Sequence, residues 1–363
     1  MSSSTTTTTS SSPGRVSLCS ALSMLLLSLL LTAALGLWLP ALLQALLGSR
    51  TALAIVAAYG AFALTLSKPA VPRGSLAASG KAVLVTGCDS GLGRLLATRL
   101  HSHGFSVLAA CLHKDDGGEG ARALESQASE RLRVLQMDVR SDEQVARAKE
   151  LVQQYLQQQH MQGLWGVVNN AGVTALGDAE QVPVDLYRDV TDVNVWGTVR
   201  VTQAFLPLVR EAKGRVVNVT SMLARMPVAS WASECVSKAA AAAFSDCLRI
   251  KLRSAGVTVC EVEPGNLTGA TELLSPARLD STLSAMADAL RPGQRDRLAL
   301  VARSLRAGGA TGVEPALWAV KDALVSRWPY SHYHPADLHW KIRAFLVSLL
   351  PCVLTDRVFG LHV

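Results

Sequence analysis

The chain has 363 residues, 49% of them hydrophobic and 17% charged, with a formal charge of +7. That length holds one large α/β domain with an appendage, and the mean hydropathy of +0.26 exceeds what a wholly soluble chain needs. Lysine and arginine are scattered, with no basic run and no aromatic interleaving. This excludes a nucleic-acid partner and favours a solvated surface beside anionic lipid.

Residues 1–15 begin MSSSTTTTTSSSPG and read as a disordered polar tail, too poor in apolar surface to fold. Residues 16–67 read as a membrane anchor of one or two apolar helices. Val16 to Ser49 carries no charged residue, and LCSALSMLLLSLLLTAALGLWL within it is 22 residues long. Such a helix crosses a hydrocarbon core of roughly 30 Å. Pro40 interrupts it, Arg50 follows, and TALAIVAAYGAFALTL (51–66) forms a second, shorter run. The first run is longer than the apolar core of a signal peptide, about 7 to 15 residues. It also lacks the amphipathic, arginine-rich character of a mitochondrial presequence. The endoplasmic reticulum membrane is therefore favoured, with a mitochondrial membrane second. Orientation stays open, because Arg15, Arg50 and the Lys68/Arg73/Lys81 group flank successive runs.

After a linker at 68–80, residues 81–330 read as a dinucleotide-binding domain. KAVLVTGCDSGLGRLLATRL is a strand, a glycine turn (Gly87, Gly91, Gly93) and a helix. Glycines there let backbone approach a pyrophosphate at a helix N-terminus. Further strands are expected at 105–111, 131–139, 165–172, 214–221 and 257–265, with helices at 141–159 and 235–254. This alternation predicts an α/β fold of Rossmann type: a doubly wound parallel sheet with helices on both faces, preceded by N-terminal membrane helices.

The seven cysteines contain no C-x-x-C pair and are odd in number, so a disulfide framework is not expected and a reducing compartment fits the domain. His101-x-His103 and His332-x-His334 are the close histidine pairs. With no cysteine or carboxylate beside them in sequence, no metal site is expected.

TGCDSGLG (86–93), NNAG (169–172), NVWG (194–197), Ser221, Lys238 and PG (264–265) occur in the order and spacing of the short-chain dehydrogenase/reductase family, which residues 80–350 resemble. GCDSG, GLWGVVNNAG, VEPGN and YHP (333–335) most resemble its D-β-hydroxybutyrate dehydrogenase branch, with membrane-bound hydroxysteroid and retinol dehydrogenases as near relatives. The resemblance implies a nicotinamide cofactor and a small-molecule alcohol or ketone as substrate. It also implies a homo-oligomer built through helices that include 193–212 and 235–254. The implied cofactor contacts are Gly87, Asp89, Ser90, Gly91, Leu92, Gly93, Cys111, Asp138, Val139, Asn170, Ala171, Gly172, Lys238, Pro264 and Gly265. Cys111 stands where an NAD enzyme of the family has an acidic residue at the end of the second strand. Lys114 is followed by Asp115 and Asp116, which would repel a 2′-phosphate, so NAD is favoured over NADP. Asp138 is compatible with a place at the adenine and equally with a helix start before SDEQ.

The catalytic set implied is Asn194, Ser221, the residue at 234 and Lys238. Where the family has a tyrosine, this sequence has Glu234. A glutamate with pKa near 4.3 is ordinarily ionised beside a lysine. Its carboxylate also stops on the order of 1.5 Å short of a tyrosine hydroxyl, and about 1 Å of misplacement can cost a hundredfold in rate. Two readings stay open. Glu234 and Lys238 form an ordinary helix ion pair worth a few tenths of a kcal/mol in a weak or inactive enzyme, or the carboxylate assists alcohol oxidation. The loop 266–309 is expected to close over substrate. Its Arg278, Arg291, Arg295 and Arg297 either clamp a small carboxylate or face solvent. The segment 331–363 includes LHWKIRAFLVSLLPCVL, which reads as an interfacial or an ordinary C-terminal helix.

Overall fold

Ala82–Thr86 (β1) reads AVLVT with all five residues buried, a pattern that fits a strand covered on both faces. The computed structural model describes residues 73–268, 271–287, 290, 293–307, 312–349 and 353–355. The expected polar tail, the membrane anchor and residues 68–72 of the linker lie outside the described residues, as does Arg291. Among the described residues no helix is long and apolar enough to cross a membrane.

From β1 the chain alternates regularly. Gly91–Ser102 (α1), Ser106–Cys111 (β2), Glu119–Glu125 (α2), Leu132–Gln136 (β3), Asp142–Gln158 (α3) and Gly166–Asn169 (β4) follow in order. Then come Val184–Thr191 (α4), a π-helical turn at Asp192–Gly197, Thr198–Glu211 (α5), Arg215–Val219 (β5), Ala232–Leu252 (α6) and Thr258–Val262 (β6). Pro276–Ala285 (α7), Gln294–Ala307 (α8), Glu314–Val325 (α9), His332–Tyr333 (β7) and Leu338–Leu349 (α10) complete it. The sheet order is β3-β2-β1-β4-β5-β6-β7, and every pairing is parallel.

Alternating side chains of each strand feed two apolar layers. Val83 and Val85 join Leu92, Leu96 and Leu100 of α1 and Val320 and Leu324 of α9 on one face. Ala82 and Leu84 join Val152 of α3, Phe205 and Val209 of α5 and Leu252 of α6 on the other. Fully burying one such side chain is worth about 1.5–3 kcal/mol. A third cluster, with Leu176, Trp231, Leu274, Leu283, Met286 and Leu298, ties the start of α6 to α7 and α8. The segment expected as a closing loop is therefore largely two helices with a small core of their own.

Two further differences matter. The strands stop short of the expected ranges, at Asn169, Val219 and Val262, so the motif residues beyond them occupy loops at the carboxyl ends. A seventh strand, the polar pair His332–Tyr333, extends the edge in register Glu261↔His332 and Val262↔Tyr333. It is too short and polar to show an apolar strand pattern. The chain builds β1, β2 and β3 outward, then crosses back to place β4 on the other side of β1. The crevice between the carboxyl ends of β1 and β4 is where open α/β sheets bind ligand.

Candidate active site

The two loops at this crevice are tied together. The Thr86 hydroxyl oxygen accepts the backbone N–H groups of Asn170 (3.0 Å) and Ala171 (2.9 Å). The Asn170 amide donates back to Thr86 O at 2.9 Å. Gly87 turns with φ +69°, in the left-handed region that favours glycine. A Cβ on Gly93 would stand 2.1 Å from Gly87 O and 2.6 Å from the Asn170 side-chain nitrogen. Glycine at 93 is thus required for α1 to begin against the turn. The Asp89 carboxylate accepts the N–H groups of Leu112 (2.8 Å) and His113 (2.9 Å), fixing the turn to the end of β2.

These loops line a cleft of about 860 Å³. Of the expected cofactor contacts, Gly87, Asp89, Ser90, Gly91, Leu92, Gly93, Asp138, Val139, Asn170, Ala171, Gly172, Lys238, Pro264 and Gly265 line it. Cys111 does not. Its side chain is fully buried in the layer with Val107 and Ala109, and burial pushes the thiol up to about 12. The strand alternation turns Cys111 inward and leaves the cleft wall to Leu112 and His113. Ser141, and not Asp138, caps α3 by accepting the Gln144 N–H at 3.2 Å, while Asp138 holds the turn before it by accepting the Arg140 N–H at 2.9 Å. Burial opposes the charge of Asp138, yet the Arg140 guanidinium, 2.7 Å away, holds its carboxyl below the usual range.

At the other end, Ser221 follows β5 and accepts the Leu223 N–H at 3.2 Å, which leaves its own hydroxyl hydrogen to donate. Glu234 and Lys238 sit one turn apart on α6, 5% and 8% exposed, and both line the cleft with Ser221. Lys238 Nζ donates to Val219 O at 3.2 Å, and Glu234 Oε2 is buried without a hydrogen-bond partner. Among the described residues the two side chains do not close the ordinary helix ion pair. Burial raises the Glu234 carboxyl against the attraction of Lys238. It lowers the Lys238 ammonium against the attraction of Glu234. Both groups are pushed toward neutrality.

Asn194 lies behind the wall, 2% exposed, in the π-helical turn. Its oxygen accepts the Val173 N–H (2.9 Å), and its nitrogen donates to Val173 O (2.9 Å) and Ser237 Oγ (2.9 Å). It braces the loop after β4 against α6 and does not itself line the cleft. π-turns of this kind are frequent at functional sites.

None of the described tyrosines lines the cleft. Tyr330 and Tyr333 pack against each other beside Arg73 and Asp322. Tyr59 lies outside the described residues. The remaining wall is largely apolar, with Leu223, Met226, Val228, Trp231 and Leu273, and carries Thr271, Glu272, Arg278 and Arg343. Arg295 and Arg297 do not line it. Trp340 and Arg343 arrive from α10, with the guanidinium 5.5 Å from the indole ring centre, and were not singled out as site residues from sequence. Their signal was a tryptophan and a basic residue on one face of an apolar C-terminal helix.

Residues 81–281 match the family model described as short chain dehydrogenase. The chain is 44% identical to D-beta-hydroxybutyrate dehydrogenase, mitochondrial, of Rattus norvegicus, over 78% of this chain and 84% of that one. It is 38% identical to estradiol 17-beta-dehydrogenase 2 of Mus musculus, over 77% and 74% respectively. A short chain dehydrogenase from Burkholderia cenocepacia, solved in complex with NADP, superposes with a TM-score of 0.57 at 24% identity, over 78% of this chain and 99% of that one. With the glycine turn, the tied β4 loop and Ser221 and Lys238 on one cleft, the chain belongs to the short-chain dehydrogenase family.

Proposed function

We propose that this chain is a nicotinamide-dinucleotide-dependent oxidoreductase that converts a secondary alcohol to its ketone, with NAD as cofactor and a short hydroxy acid as the preferred substrate class. The observation that carries this reading is Glu234, which lines the cleft beside Ser221 with a buried, unpartnered carboxylate oxygen. A carboxylate raised by burial is a proton acceptor closer to working pH than a solvated one. Bound NAD supplies the hydride acceptor. Ser221 donates its hydroxyl hydrogen to the substrate oxygen, and Glu234 takes the proton that this oxygen loses. Lys238, held on Val219 O, stands one helical turn from that carboxylate.

NAD is supported by the Asp89 carboxylate beside the cleft wall at Leu112 and His113. Lys114 is paired with Asp115 at 3.5 Å, and Arg140 is clamped on Asp138. Neither cation is left for a 2′-phosphate. The NADP in the Burkholderia cenocepacia structure belongs to that protein. A hydroxy acid is supported by Arg278 and Arg343 on a wall whose one carboxylate on the 266–309 side is Glu272, and by the name of the rat relative. The apolar breadth of the wall keeps steroid- or retinoid-like alcohols as the competing substrate class.

A second reading is a dinucleotide-binding protein without turnover. It is favoured by the shorter reach of Glu234 relative to a tyrosine and by the absence of any described tyrosine from the cleft wall. Titration with NAD beside assays of alcohol oxidation, in the wild type and Glu234→Tyr, separates the two. Wild-type turnover supports the dehydrogenase. Tight binding with turnover appearing only in Glu234→Tyr supports the second reading.

The same proposal includes a membrane anchor at 16–67, in the endoplasmic reticulum membrane ahead of the mitochondrial one. It also includes a homo-oligomer formed through α5 and α6. Exposed Trp196, Val236 and Ile250 support that association.

A further inference from the structure

We propose that Glu261, Glu263 and His332 form a binding site for a divalent transition metal of the zinc class at the β6–β7 edge, apart from the cleft. From sequence, His332 had no carboxylate near it. The sheet supplies two: Glu261 and Glu263, two residues apart along β6 and its end, face the same side, and β7 docks with Glu261 opposite His332. Both glutamates are buried, 2% and 1% exposed.

The ligand atoms are already gathered. His332 Nδ1 lies 3.3 Å from Glu261 Oε2 and 3.3 Å from Glu263 Oε1, and the three atoms lie within 4.8 Å of one another. Zinc–nitrogen and zinc–oxygen bonds of roughly 2.0–2.2 Å, held tetrahedrally, place neighbouring ligand atoms about 3.3 Å apart.

On the Glu261 side the hydrogen bonding leaves one oxygen for a cation. Glu261 Oε1 accepts the Thr220 hydroxyl at 2.7 Å, but Glu261 Oε2 is buried with no hydrogen-bond partner. Imidazole Nδ1 carries at most one hydrogen, yet it faces two carboxylate oxygens and also Arg225 Nη2 at 3.1 Å, which can only donate. No tautomer satisfies all three contacts. A cation on the Nδ1 lone pair satisfies both carboxylates at once, and it replaces Arg225, whose half-exposed side chain otherwise donates its Nε–H to Glu263 Oε1 (3.1 Å) and Oε2 (2.9 Å).

The surroundings complete the pattern. His332 Nε2 points at Asp246 Oδ1 of α6, 3.4 Å away, the carboxylate–histidine arrangement that fixes the tautomer of a metal-bound ring. His334 Nδ1 lies 3.2 Å from Glu263 Oε2. None of the three ligands lines the cleft. They do brace it, because Glu263 and Gly265 donate their N–H groups to Tyr333 O (2.8 Å) and Pro335 O (3.3 Å) on the β7 side.

The test is metal titration of the full chain, stripped with chelator, using Zn²⁺ by calorimetry and Co²⁺ by absorption. The expected result is one equivalent per chain, with cobalt d–d bands of low coordination number lacking a thiolate charge-transfer band. Glu261→Gln should weaken Zn²⁺ binding more than about a hundredfold and Asp246→Asn about tenfold, with unchanged circular dichroism. No stoichiometric uptake by the wild type, a thiolate band, or affinity unaltered in a folded Glu261→Gln overturns the proposal. If Glu261→Gln does not fold, the cobalt spectrum of the wild type decides alone.

Discussion

Glu234 and Lys238 stand one helical turn apart on α6, yet Lys238 gives its hydrogen bond to Val219 O while Glu234 Oε2 keeps none. An i, i+4 pair on a solvated helix closes readily. Here the helix face is covered, and each side chain is fixed by what the cleft wall offers it. The carboxyl is held in a poorly solvated place with a raised pKa, which distinguishes it from a surface glutamate.

Stability should follow that carboxyl. Its folded pKa lies above the unfolded value of about 4.3, so between the two the folded state holds a proton that the unfolded state has lost. The stabilisation is full below about pH 4.3, falls as pH rises through the folded pKa, and is level above it. Urea unfolding across that range should show the fall in the wild type and a flatter curve in Glu234→Gln. Identical curves would mean that Glu234 titrates as a solvated group.

Gly93→Ala tests the turn. The added methyl would meet Gly87 O at 2.1 Å and the Asn170 amide at 2.6 Å, and neither neighbour can retreat without breaking the tie to Thr86. A loss of roughly 1–3 kcal/mol is expected from such overpacking, together with weaker NAD binding. Thermal unfolding and a fluorescence titration measure both. An unchanged melting temperature would show that α1 can slide from the turn.

Asn194→Ala removes three hydrogen bonds from the loop–helix brace and leaves both Val173 backbone groups without that partner. A cost of about 1 kcal/mol is expected for each of these part-buried groups left unpaired, the low end of the range for a buried one. Amide exchange at Val173 should accelerate, with Ser221 and Lys238 still in place. Unaltered exchange would assign Asn194 no bracing role.

Arg278 and Arg343 on the cleft wall test the proposed substrate class. If a carboxylate is held there, Arg343→Met should raise KM for a short hydroxy acid by roughly 10- to 100-fold, since a charge-assisted hydrogen bond is worth about 1.5–3 kcal/mol. The same variant should leave KM for an uncharged secondary alcohol within about twofold. Equal effects on both substrates would point instead to the apolar wall.

Where the sequence was legible, the signal was continuous. AVLVT, SVLAAC and TVCEV mark buried parallel strands, and the glycine spacing and NNAG fixed the crevice between them. Cys111 was misplaced because a position counted at a strand end can turn inward or outward with one step of the pleat. His332–Tyr333 was invisible as a strand, since two polar residues carry no periodicity. Trp340 and Arg343 reach the cleft across more than a hundred residues from Glu234, a contact that only packing can reveal.

Single-turnover formation of reduced cofactor from bound NAD and a short hydroxy acid, compared between wild type and Glu234→Gln, puts the proposed chemistry to its sharpest trial. Wild type should produce reduced cofactor, and Glu234→Gln should bind NAD within about twofold while slowing by roughly 10²–10⁴. Equal rates in both proteins, or no reduced cofactor from a wild type that binds NAD tightly, would contradict a catalytic carboxylate at position 234.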